Sequence, residues 1–75
     1  MTETIEIFVL LLDEGVDVWR PVQAEHCGGN VYKIVEQTYD SEMEKWEFEP
    51  GDFVECKTLD LNEGPALVAA ALHKL

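Results

Sequence analysis

The chain has 75 residues, 47% of them hydrophobic, with two tryptophans, which favours one packed domain near the lower size limit for a single core over a disordered tail. Five Lys and Arg against sixteen Asp and Glu give a net charge of −11. This balance disfavours direct contact with nucleic acid, where affinity comes largely from cations on phosphates, and with an anionic membrane surface. It favours a basic protein partner or a cation.

The apolar run Ile7 to Leu12 follows an acidic, not a basic, start and is too short for a signal-peptide core or a bilayer span. The expected compartment is the cytoplasm. Thr4 to Leu12 alternates at first and then turns wholly apolar, as a strand covered on both faces does. Asp13-Glu14-Gly15 ends it.

Val18 to Gln37 is the organising stretch, two β-rich runs joined by Cys27-Gly28-Gly29-Asn30, residues that tolerate positive φ. In the first run Val18, Arg20, Val22 and Ala24 share one face, and Trp19, Pro21, Gln23 and Glu25 the other, so either face can be the inside. Pro21 cannot donate to a ladder and belongs at an edge or bulge. Val22, Ile34, and either Val31 or Tyr32 are the expected core residues of this hairpin.

Thr38 to Glu44 reads as an exposed acidic loop. Lys45-Trp46-Glu47-Phe48-Glu49 alternates cleanly and is expected as a strand with Trp46 and Phe48 inward. Glu49-Pro50-Gly51-Asp52 has the Pro and Gly positions of a type II turn, and Phe53 to Leu61 follows as a strand. Pro65 to Leu75 is open between a closing strand, the preferred reading, and a short helix: Pro65 suits a first helical turn and ALVAAAL a helix interior, yet the Asn62-Glu63-Gly64 turn invites hairpin pairing.

Five to six short antiparallel strands define an all-β domain, a small barrel or sandwich. The segments EGVDVWRPV and WEFEPGDFVEC resemble small uncharacterised bacterial proteins with an SH3-like barrel, over Ile5 to about Lys57. The resemblance implies the fold and carries no activity.

Site candidates are few. His26, Cys27, Cys56 and His73 lack the paired spacing of a zinc site, and His26 and Cys27 would diverge across a strand, so neither metal nor thiol catalysis is expected. A Cys27–Cys56 disulfide is disfavoured by a reducing compartment. Eight of the sixteen acids fall between Glu36 and Glu55. Asp40, Glu42 and Glu44 have the opening spacing of a calcium loop, but Lys45 replaces its glycine and Gly51 its bidentate glutamate. Asp40, Glu42, Glu44, Glu47 and Glu49 therefore read as solvated negative surface or as a face for a basic protein. Trp19 and Arg20 are the second candidate, being residue types that anchor interfaces. With Tyr32 and Tyr39, Trp19 is a candidate wall of an aromatic groove; the bland reading packs Trp19 in the core and pairs Arg20 with Asp17. The expected function is a non-enzymatic protein-interaction module without cofactor, with an acidic inhibitor of a basic protein as the alternative. Exposed strand edges also allow a homodimer.

Overall fold

A computed structural model describes residues 3–39, 42–61 and 64–73. Five strands run in chain order: β1 Thr4–Leu10, β2 Trp19–His26, β3 Val31–Ile34, β4 Phe53–Leu61 and β5 Gly64–Leu72. Each pairs with the next, and β5 returns to β1, closing a small barrel. The all-β, SH3-like barrel architecture expected from the sequence is the architecture observed, and the described residues contain no helix.

Four seams are antiparallel, while β1 and β5 run parallel and meet at the single pair Phe8–Val68. This departs from a wholly antiparallel barrel for a geometric reason. An antiparallel meander reverses at each turn, so its first and fifth strands point the same way. Ring closure also demands curvature, which a register shift between Glu55 and Cys56 of β4 supplies.

The interior is filled by alternate residues, as in any barrel this narrow. Ile7 and Val9 of β1, Val22 and Ala24 of β2, Ile34 of β3, Val54 and Cys56 of β4 and Ala69 of β5 are buried together. The face of β2 left open by its sequence is thereby fixed: the Val22 and Ala24 side is inside. Of the two β3 alternatives, Tyr32 packs against this cluster. At the hairpin turn Gly28 and Gly29 take φ of 110° and 54°, and the Val31 amide donates to the Gly28 carbonyl at 2.9 Å.

Lys45 to Glu49 corrects an expectation. Trp46 and Phe48 are buried as the alternation requires, but the segment is no strand and makes only one bridge, Leu11 to Trp46. Around that bridge the Leu12 amide donates to Lys45 O at 2.7 Å and the Glu47 amide to Leu10 O at 2.9 Å. Further pairing is cut off because the Glu49 amide turns to Asp52 Oδ2 at 2.9 Å. The chain then reverses at Gly51, whose φ is 96°, with Asp52 N–H donating to Glu49 O at 3.0 Å. The expected turn is present, and it stops the strand.

The C-terminal segment is a strand, as preferred. Its register runs from Leu61–Gly64 to Val54–Leu72. Alanine's helical preference amounts to a few tenths of a kcal/mol per residue. Main-chain pairing along β4 and burial of Val68 and Ala69 outweigh it.

Truncation of the core follows from this packing. A domain of this length holds roughly 4–11 kcal/mol. Ile34→Val is expected to cost about 1 kcal/mol and Ile34→Ala about 2–5 kcal/mol, whereas Val16→Ala, at a site 74% exposed, stays within about 0.5 kcal/mol. Urea unfolding followed by tryptophan fluorescence measures all three.

Candidate functional site

Strand alternation sends Trp19 and Arg20 to opposite sides of β2. Trp19 lies opposite Leu10 and Pro21 opposite Phe8, all on the outer face, since Ile7, Val9 and Val22 point inward. Phe8, Leu10 and Trp19 are half-buried there. This outer row borders an open groove of about 690 Å³. Phe8, Val18 and Trp19 line one side, Leu61, Pro65 and Ala66 from the β4–β5 hairpin line the other, and among the described residues Asp17 and Asp60 are the only charged ones in the lining.

Arg20 shares the parity of Val22 but sits at the start of β2, beyond the core, and is exposed. Its Nε lies 3.6 Å from Glu44 Oε1. The expected Arg20–Asp17 pairing is thus replaced by Arg20–Glu44, and Asp17 lines the groove instead. Trp19 is correspondingly half-buried on the outer face and not part of the main core cluster.

The three aromatics expected to share a groove do not converge. Only Trp19 lines it. Tyr32 packs on His26 with ring centroids 4.9 Å apart, and Tyr39 packs on Trp46 at 4.5 Å. Tyr39 Oη also accepts the Trp46 backbone N–H at 3.4 Å. Both tyrosines support packing and turn geometry. The groove itself was hidden from the sequence because its second wall, with Asp60, Leu61, Pro65 and Ala66, comes from a distant hairpin. Phe8, an aromatic on the minor face of the Ile5-Ile7-Val9 alternation, was the available signal.

Of the acidic candidates, Asp40 lies outside the described residues. Glu42 and Glu44 border a small hollow of about 150 Å³ with Leu12, Asp13, Glu14, Met43 and Lys45. Glu44 accepts the Trp46 indole N–H at 2.9 Å as well as facing Arg20, so it ties the loop to the barrel. Glu47 and Glu49 are exposed on the side opposite Trp46 and Phe48. Lys45 Nζ is 3.7 Å from Asp13 Oδ2, with both side chains mostly exposed, a pair worth little in water. Lys33 stands over the Phe53 ring at 5.7 Å.

Both cysteines are free thiols, Cys27 exposed and Cys56 buried. Burial pushes the Cys56 thiol up to about 11, which keeps it protonated and unreactive. His26 Nε2 is 2.8 Å from the Gly29 carbonyl and braces the turn; His73 Nδ1 is 2.9 Å from Glu55 Oε2. Among the described residues no three His, Cys, Asp or Glu side chains converge as a metal site would need.

Two outcomes test this arrangement. In the folded protein only Cys27 is expected to react with a thiol reagent near pH 8, with Cys56 reacting at the unfolding rate. Because the folded Cys56 pKa lies above that of the unfolded chain, its contribution to stability is complete below about pH 9 and is lost as pH rises towards 11. A Cys56→Ala variant should lack that part of the alkaline loss, as thermal melts across pH would show. Separately, Glu44→Ala should cost about 1–2 kcal/mol by stranding the Trp46 N–H, while Glu44→Gln, which still accepts it, stays below about 1 kcal/mol.

No family model matches the chain, and neither curated proteins nor solved structures give a significant match to it.

Proposed function

We propose that this chain is a non-enzymatic protein-interaction module of the cytoplasm whose partner is a basic protein. The observation that carries this reading is the distribution of charge. Sixteen acids face five basic residues, and three of those are engaged within the fold, Arg20 with Glu44, Lys45 with Asp13 and Lys33 over Phe53. The negative potential is left to act outward, where it speeds encounter with a basic surface and repels nucleic acid and anionic lipid. Two free thiols agree with a reducing compartment. No helix is long and apolar enough to cross a membrane among the described residues.

An acidic inhibitor of a basic protein is the second reading, supported by the same charge and small size. Both rest on a surface rather than a cleft between lobes. The edge argument for a homodimer weakens once β5 meets β1, because closure shortens the free edges.

Affinity capture from cells that express the chain, followed by titration with salt, tests the reading. The expected partner is basic, and its affinity should fall at least about tenfold between 0.05 and 0.5 M salt, as screening shortens the reach of exposed charge. A neutral or acidic partner held with no salt dependence would contradict it. Separating inhibitor from adaptor then requires assaying the captured protein's activity with and without the chain.

A further inference from the structure

The groove beside Trp19 has a chemistry that the rest of the acidic surface lacks. Phe8, Trp19, Pro65 and Ala66 give it apolar wall surface, and among the described residues its only charges are the carboxylates of Asp17 and Asp60. Among the described residues no Lys or Arg lines it, although Arg20 directly follows Trp19 in sequence, because strand alternation turns Arg20 towards Glu44. The volume, about 690 Å³, suits a few residues of peptide or a small ligand.

One rim of the groove is also an open strand edge. Gly64 to Leu67 pair with β4 on one side, while β5 meets β1 only further along, at Val68. Main-chain groups of an extended segment can align with such an edge. The two halves of the site thus ask for different parts of one ligand: extended backbone along β5 and a side chain reaching towards Trp19.

We propose that this groove receives an extended segment of the basic partner and holds one arginine or lysine side chain between Trp19 and the carboxylates of Asp17 and Asp60. The proposal rests on the basic-partner reading and adds the site and mode of contact. Three physical terms favour this occupant, and two more disfavour its rivals. The aliphatic stem covers Phe8 and Pro65, and the cationic head is attracted to the indole face. The head also pairs with two carboxylates that no cation among the described lining residues neutralises. A purely apolar segment would desolvate those carboxylates without compensation, and an acidic one would be repelled.

The test uses the ¹⁵N-labelled chain and two blocked pentapeptides, acetyl-Gly-Ala-Arg-Ala-Gly-amide and the same peptide with neutral citrulline in place of arginine. The two indole N–H signals serve as site probe and control. Titration with the arginine peptide should move the Trp19 indole signal and the Ala66 and Leu67 amides while leaving the Trp46 indole in place. The citrulline peptide should bind at least tenfold more weakly, and the double variant Asp17→Asn, Asp60→Asn should weaken the arginine peptide by a similar factor with the Trp46 signal unchanged. Equal binding of both peptides would overturn the proposal. So would arginine-dependent shifts confined to Glu42, Glu44, Glu47 and Glu49, a result that leaves the basic-partner reading standing. Absence of any shift overturns the groove assignment, and only together with capture of a salt-insensitive, non-basic partner does it remove both.

Discussion

A meander of five antiparallel strands can close only if its last strand lies parallel to its first. In this chain that constraint is met at one residue pair, Phe8 with Val68, and much of the structure follows from it. Cys56 opposes Ala69, and both are buried in the main cluster. Val68 therefore points the other way, yet it is only 1% exposed. β1 accordingly has apolar residues on both faces, Ile7 and Val9 within and Phe8 and Leu10 outside. The register shift near Glu55 and Cys56 bends β4 and β5 enough to bring them round. Trp46 and Phe48 then add their rings to the core from a loop, which a fold with so few strands requires to fill its interior.

The same closure makes the groove. Because β5 pairs with β1 at one position only, the start of β5 and the end of β4 are not drawn down along that strand. They form the far wall of a groove whose near wall is made by Phe8, Val18 and Trp19. Its charge follows from local alternation: Arg20 is directed to Glu44, leaving Asp17 and Asp60 as the charged lining. Topology provides the groove and strand parity sets its sign.

Local patterns in the sequence carried most of the fold. Cys27-Gly28-Gly29-Asn30 announced its hairpin because positive φ is a backbone requirement that few residues meet, and Glu49-Pro50-Gly51-Asp52 did the same for its turn. The alternation of Lys45 to Glu49 foretold the burial of Trp46 and Phe48 but not the absence of a strand, since alternation reports which side chains face inward and not whether a partner strand is present. The C-terminal run was ambiguous because alanine favours helix locally, while the decisive term, pairing along β4, is not local. The site was harder to read. Trp19 was recognisable as an anchor type, but Tyr32 and Tyr39 were grouped with it by residue type alone, and they pack on His26 and Trp46 instead. Asp60 and Pro65 join Trp19 only through ring closure, which no short stretch of sequence displays.

The most direct test of this account is therefore the closing seam itself. Nuclear Overhauser spectra of the labelled chain should show main-chain and side-chain contacts between Phe8 and Val68, in the pattern of a parallel pair, together with contacts from Cys56 to Ala69 across the β4–β5 ladder. Observation of the β4–β5 contacts without those between Phe8 and Val68 would describe an open, curled sheet, and would contradict both the closed barrel and the groove built upon it.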